Sequence, residues 1–226
     1  MTLDMTTRWN ELHAIPKFSP RYPSDLPVRW TFRNFPREKA RDFSLLDVGA
    51  GGGRHAIFWA REGYRATATD ISPLAAAQAI AWAHEESLKL DSLAAQADSL
   101  PFADGSFDGL LSFGVIYYLP YCRMKAAISE MQRVLKPGGR ALVMIKSDVD
   151  ARATHGERLD ELSYKVAVPD PGAHWKAEAG LVLTLLDKSH VETCFEGFSD
   201  VVIDRSSVTA CGGLFVDDEW LIQLRK

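Results

Sequence analysis

The chain is 226 residues long, with 46% hydrophobic and 25% charged residues, proportions that suit a single soluble domain with a sizeable core. A formal net charge of −4 argues against general affinity for nucleic acid, whose binding draws mainly on a basic face. No apolar run approaches the roughly 18–20 residues that span a bilayer, and MTLDMTTRWNELHAIP lacks the apolar stretch of a signal peptide. A cytoplasmic protein without membrane or nucleic-acid partners is therefore expected.

Residues 1–42 carry four prolines between Pro16 and Pro27 and show no strand alternation, so they read as an N-terminal cap of short helices and turns. At Phe43 the character changes. FSLLDV (43–48) is a compact apolar strand stopped by Gly49-Ala50-Gly51-Gly52-Gly53. A helix from about Arg54 to Glu62 is closed by Gly63, a residue suited to a left-handed cap. RATATD (65–70) is a second strand, and Ser72-Pro73 opens a helix whose buried face is read as Leu74, Ala77, Ala81 and Leu88. SLAAQAD (92–98) and FDGLLSFG (107–114) are further strands. Next comes a helix with Met124, Ala127, Ile128, Met131, Val134 and Leu135 on one face. Lys136-Pro137-Gly138-Gly139 ends that helix before a fifth strand, RALVMIK (140–146). This alternation implies an α/β fold with a parallel sheet covered on both faces.

From Ser147 to about Leu186 the chain is polar and irregular, too long for a plain connection, and is expected to form a lid within the domain spanning 43–226. A helix over DKSHVETCFEGF then leads to SDVVIDR (199–205) and DEWLIQLRK (218–226). These two strands have no helix between them, which predicts a closing antiparallel pair at one sheet edge.

The chemistry concentrates in Leu45-Leu46-Asp47-Val48-Gly49-Ala50-Gly51-Gly52-Gly53. A glycine turn between a first strand and a helix lets a nucleotide-bearing ligand approach the backbone, and Asp70, at the tip of the second strand, is placed to accept hydrogen bonds from a ribose diol. A dinucleotide fingerprint needs a third glycine where this chain has Arg54. Asp47 would repel a pyrophosphate but suits an ammonium group, which favours S-adenosylmethionine (SAM) over a nicotinamide dinucleotide. Asp47 also has a structural reading, holding the turn through its amides.

The segment LLDVGAGGGRHAIFWAREGYRATATDIS resembles the first two motifs of class I SAM-dependent methyltransferases, in particular small bacterial enzymes with a Gly-Arg-His continuation. The likeness continues through ADSLPFADGSFDGLLSFGVIYYL and VLKPGGRALVMIK. It implies a Rossmann-like, doubly wound sheet of seven strands, mostly parallel with an antiparallel last strand. It also implies SAM as cofactor and S-adenosylhomocysteine (SAH) as product. Asp47, Gly49, Gly51 and Gly53 would form the methionine-side turn, and Asp70 would hold the ribose while Ile71 packs on the adenine. Asp98 and Ser99 would meet the adenine amino group, and Phe113 and Gly114 would approach the amino-acid portion.

Because the cofactor supplies the difficult chemistry, catalytic side chains are harder to read. Tyr117 and Tyr118 follow the fourth strand, where they either face the methyl group or pack against the lid. His155 and His174, in the insertion, are candidates for a base that deprotonates a hydroxyl or amine, or are exposed loop residues without a task. His55 either faces the substrate or stabilises the helix start. The histidines show no HxH or HExxH spacing, and Cys122, Cys194 and Cys211 have no CxxC spacing, so neither a metal site nor a disulfide framework is expected. The stretch after strand four, Ser112-Phe113-Gly114-Val115-Ile116-Tyr117, lacks the Asn/Asp-Pro-Pro-Tyr/Phe signature of exocyclic-amine methylation. Trp9, Tyr22 and Trp30 are expected to enclose a pocket with the insertion, or to form core. A small-molecule substrate methylated at oxygen or nitrogen is the favoured reading. A nicotinamide-dependent oxidoreductase and a non-catalytic SAM-binding protein are the alternatives.

Overall fold

The computed structural model describes residues 5–15, 18–168 and 175–226. Its frame is a seven-stranded sheet of β1 (Ser44–Val48), β2 (Arg65–Asp70), β3 (Asp91–Ala94), β4 (Phe107–Phe113), β5 (Leu135–Lys146), β9 (Ser199–Ala210) and β10 (Phe215–Arg225), in the order β3-β2-β1-β4-β5-β10-β9. The pairs from β3 to β5 are parallel, whereas β10 lies antiparallel to both β5 and β9. The α/β class, the seven strands and the antiparallel closing pair match the sequence reading. Strand order reverses between β1 and β4, and in open sheets of this kind the crevice at such a reversal is where ligands bind.

Register decides what gathers there. Asp47 pairs with Ala68 on one side and Leu111 on the other, and Asp70 pairs with Ala94. The chain segments leaving β1, β2, β3 and β4 therefore emerge side by side at one end of the sheet. The central strands β1 and β4 are buried on both faces, Leu45, Leu46, Leu110 and Leu111 to 0% exposure, so their near-continuous apolar runs are what a covered parallel sheet requires.

Helices α3 (Arg54–Arg61), α4 (Pro73–Glu85) and α5 (Tyr121–Val134) connect the parallel strands. Ser72 caps α4 by accepting from the Ala75 amide at 3.1 Å, and Pro73 takes the first helical position, as read. The buried face of α4 differs from the reading: Ala75, Ala76, Ala79, Trp82 and Ala83 point inward, while Leu74, Ala77 and Ala81 are exposed. Alanine on every side of this helix leaves almost no apolar contrast, and Trp82 sets its rotation. In α5, where Met and Ile alternate with Lys, Arg and Glu, the predicted face is the buried one.

The N-terminal segment splits. Helix α1 (Met5–His13) lies over the ligand end of the sheet, in contact with α4, whereas α2 (Asp25–Asn34) and a 3-10 turn at Arg37–Asp42 pack beneath it. Trp30 consequently belongs to a core cluster with Phe35, Leu45 and Trp59, and Tyr22 is 84% exposed. Of the three aromatics expected around a pocket, only Trp9 borders one.

Residues 147–186 are more ordered than their composition suggests. They form α6 (Ala151–His155) and an antiparallel sheet of β6 (Glu157–Arg158), β7 (Ser163–Lys165) and β8 (Val182–Thr184), before α7 (Lys188–Cys194) returns the chain to β9. Val166, Trp175, Leu181, Leu183, Leu185 and Leu186 join the main core. Two of the charges in the stretch, Asp150 and Arg152, are buried in pairs. Arg152, 5% exposed, donates to both oxygens of Glu178 (2.7 and 3.0 Å), to Asp150 (3.1 Å) and to Asp217 of β10 (2.9 Å). Lys146 meets Asp150 at 3.1 Å and Glu219 at 3.0 Å. Among the described residues no helix is long and apolar enough to cross a membrane.

Removing one partner from a buried ion pair strands the others, at a typical cost of about 3–5 kcal/mol. Arg152→Ala is therefore expected to lower unfolding stability by about that amount. Urea denaturation checks this, and a loss under about 1 kcal/mol would show that the insertion is not tied into the core as described.

Candidate active site

The turn after β1 owes its shape to glycines that no other residue could replace without displacement. Gly49 has φ +72°, and a Cβ there would sit 2.3 Å from a Val115 methyl. At Gly53, with φ +90°, a Cβ would sit 2.8 Å from that of Ala79. The turn is held by its own amides. Gly49 and Ala50 both donate to the Thr69 carbonyl (2.7 and 2.8 Å), Gly51 donates to Asp70 Oδ2 (2.9 Å) and Gly53 to the Ala50 carbonyl (3.0 Å). The other Asp70 oxygen accepts from the Ser72 amide at 2.9 Å. Asp70 thus ties the turn to the start of α4, and a carboxylate has about four acceptor sites, of which these bonds use two.

Beside the turn lies a cavity of about 310 Å³. Its floor is formed by Gly49, Gly51, Asp70, Ile71, Phe113 and Gly114, all named from the sequence, and by Arg54 and His55. Asp98 borders it at the far side with Gln96 and Ala97, residues that follow β3. Trp9, His13, Phe18 and Tyr118 form the wall facing the sheet end. Trp9 stands edge-on to Tyr118 with centroids 4.8 Å apart, and Arg8 reaches the Ala177 carbonyl at 3.3 Å, so α1 is joined to the insertion above the cavity.

Other named residues lie just outside it. Asp47, 1% exposed, sits behind the turn, and its Oδ2 has no hydrogen-bond partner. Burial raises its pKa to about 7; Arg54 opposes the rise and Asp70 adds to it. His55 accepts from the Ser24 amide through Nε2 at 3.2 Å and turns Nδ1 toward Asp47 Oδ2 at 3.9 Å. Burial, reinforced by the charge of Arg54, pushes its pKa down to about 3, so the ring is neutral near pH 7. Gly53 packs beneath the turn against α4, and Ser99 closes a short turn by donating to the Gln96 carbonyl at 3.1 Å. Asp98 is gripped by Arg123 of α5 at 2.5 and 2.8 Å, which holds its carboxyl below the usual range.

Tyr117 lies one layer behind Tyr118, their hydroxyls 3.4 Å apart. Burial raises both phenols well above their ordinary range, so neither is a phenolate at neutral pH. His155 stacks with Trp175 and meets Phe215 edge-on at 5.4 Å, away from the residues that border the cavity. His174 lies outside the described residues. Sequence reading passed over His13, Phe18, Gln96 and Arg123, which reach the cavity only through tertiary packing. Arg54 was legible as the residue replacing a third glycine, but not as a guanidinium at the cavity that makes no hydrogen bond among the described residues.

This inventory discriminates between ligands. A pyrophosphate needs free amides at the turn, and those of Gly49, Ala50, Gly51 and Gly53 are already bonded. An amino acid linked to a nucleoside needs an anion and a cation near the turn and an acceptor for a diol. Asp47, Arg54 and the spare lone pairs of Asp70 meet those needs, so the residues present fit SAM.

Asp47 also predicts a pH dependence. With a native pKa near 7 and an unfolded value near 4, the protein loses stability as pH rises between those values, at about 1.4 kcal/mol per pH unit, and levels off above 7. Asp47→Asn removes that slope. The variant is expected to match the wild type near pH 4 and to exceed it at pH 8 in denaturant melts, whereas parallel curves would contradict the burial argument.

The methyltransferase domain family matches residues 46–143. A ubiquinone/menaquinone biosynthesis C-methyltransferase UbiE of Nitrobacter hamburgensis is 38% identical over 149 residues, covering 62% of this chain and 55% of its own length. The chain thus spans about half of that relative. A solved structure concerned with converting a disulfide bond into a thioacetal group during echinomycin biosynthesis aligns over 99% of this chain and 92% of its own, with TM-score 0.70 and 24% identity. The Burkholderia thailandensis 1,6-didemethyltoxoflavin-N1-methyltransferase, solved with bound 1,6-didemethyltoxoflavin and SAH, aligns over 98% of this chain and 88% of its own, with TM-score 0.61 and 16% identity. Sheet order, glycine turn and matched segment agree: residues 46–143 are similar to a methyltransferase domain, and the solved structures share the fold of this chain.

Proposed function

We propose that this protein transfers the methyl group of SAM to an oxygen or nitrogen nucleophile of a small, largely apolar molecule. One observation carries the reading: the Gly49, Ala50, Gly51 and Gly53 amides are bonded within the protein, while Asp47 Oδ2 has no hydrogen-bond partner, Arg54 faces the cavity and Asp70 keeps spare lone pairs. When bound, SAM supplies an electrophilic methyl group on a sulfonium. The chain has to hold that group and the nucleophile in line and keep water out. Arg54 holds the amino-acid end with the charge of Asp47 acting from behind the turn, Asp70 holds the ribose, Ile71 the adenine face, and Asp98 with the Ser99 backbone the adenine edge. Gly49, Gly51 and Gly53 let the ligand and α3 approach, and Phe113 and Gly114 close the methionine side.

Substrate lies against Trp9, Phe18 and Tyr118, an aromatic wall that suits an apolar metabolite better than a charged polymer. The net charge of −4 also disfavours nucleic acid. Helix α1 and residues 147–186 act as the lid, a role supported by the Arg8–Ala177 and Trp9–Tyr118 contacts. Tyr118, uncharged and at the cavity, orients the nucleophile, with Tyr117 fixing it from behind. His155, stacked on Trp175 away from the cavity, has no part in this scheme. A carbon nucleophile is the second reading, favoured by the Nitrobacter relative's designation as a C-methyltransferase.

Incubation with SAM and a panel of small aromatic and aliphatic alcohols and amines is expected to give SAH only where an acceptor is present. Mass and NMR analysis of the product separates O-, N- and C-methylation. Asp70→Ala should raise KM for SAM tenfold or more, about 1.4 kcal/mol of lost binding. SAH formation with RNA or DNA and with none of the small molecules would contradict the reading.

A further inference from the structure

Helix α1 lies outside the matched methyltransferase segment, yet it brings a histidine to the wall of the cavity. Its position is fixed at several points. Asn10 Oδ1 accepts from the Ser72 hydroxyl at 2.5 Å, and Gln78 of α4 donates to the His13 carbonyl at 3.2 Å. Ser72 is the residue whose amide Asp70 holds. The same local structure that orients Asp70 therefore orients α1. His13 is 6% exposed, borders the cavity and lies against Gly51, and its Nε2 stands 3.9 Å from Asp70 Oδ1. Its Nδ1 is buried without a hydrogen-bond partner.

We propose that His13 is a second ligand for the ribose diol of the cofactor, acting with Asp70 as a two-sided clasp. This rests on the SAM reading given above. A separation of 3.9 Å is too long for a direct hydrogen bond between the two side chains. It does allow one hydroxyl oxygen to lie about 2.8 Å from both. That hydroxyl donates its proton to the Asp70 carboxylate and accepts from the Nε2–H of His13. The carboxylate beside Nε2 favours the proton on that nitrogen, which leaves the partnerless Nδ1 as a bare lone pair. Because His13 rides on α1, the same contact couples cofactor binding to the docking of Trp9 over the cavity, Trp9 and His13 being 5.7 Å apart by ring centroid.

The test is calorimetric binding of SAH, 2′-deoxy-SAH and 3′-deoxy-SAH to the wild type, His13→Phe and His13→Gln, with circular dichroism confirming that each variant is folded. Phenylalanine keeps the ring and loses the donor, whereas glutamine keeps a donor. His13→Phe is expected to weaken SAH about tenfold, with His13→Gln recovering part of the loss. The deoxy compound lacking the clasped hydroxyl should bind wild type and His13→Phe within about twofold of each other. Equal SAH affinity in wild type and His13→Phe would overturn the proposal, as would the same fold-loss for SAH and both deoxy compounds. If His13→Phe does not fold, the proposal stands or falls on whether His13→Gln keeps the preference for SAH over one deoxy compound. Failure of the wild type to bind SAH at all would instead remove the SAM reading on which this rests.

Discussion

The carboxylate of Asp70 is the interaction on which the rest of the ligand end depends. One of its oxygens fixes the glycine turn through the Gly51 amide, and the other fixes the start of α4 through the Ser72 amide. Those two bonds make the turn rigid without any ligand and consume an amide that a phosphate would need. Ser72 in turn meets Asn10, so the placement of α1, and of Trp9 and His13 upon it, follows from the same carboxylate. A single acidic residue at a strand tip thereby sets the cofactor cradle and one wall of the cavity.

The opposite wall depends on a different device. Tyr118 stands between Trp9 and the insertion, and the insertion is fastened by the Arg152 fork on Glu178 and by the Arg152–Asp217 bond to β10. Buried pairs of this kind are poor sources of net stability but strong determinants of which arrangement forms, since any other leaves a charge unpaired. The closing hairpin is thus more than an edge to the sheet. Its strands run past the positions read from sequence, to Ala210 and back from Phe215, and carry the carboxylates that the insertion needs.

Much of this was legible because periodicity, punctuation and chemistry agreed. RATATD is bounded by Gly63 and by the Ser-Pro helix start, and the strand occupies residues 65–70 as read. The α5 face was legible because apolar and charged residues alternate at helical spacing. Where those signals cancel, reading fails. Alanine all round α4 hid its rotation, and a high polar content made residues 147–186 resemble a loop although they contain a small sheet. The site shows the same division. The glycine turn and Asp70 announce themselves locally, because one backbone turn and one strand tip define them. His13, Phe18 and Arg123 come from segments that meet the turn only after folding, and their own neighbours in sequence carry no mark of it.

The central claim is that this cradle selects an amino-acid-linked nucleoside over a dinucleotide. Calorimetric titration of the wild-type protein with SAM and, separately, with NADH tests it most directly. The account predicts saturable one-to-one binding of SAM and none of NADH, because the Gly49, Ala50, Gly51 and Gly53 amides are already bonded within the protein while Asp47 Oδ2 has no hydrogen-bond partner and Arg54 faces the cavity. NADH binding without SAM binding would contradict it.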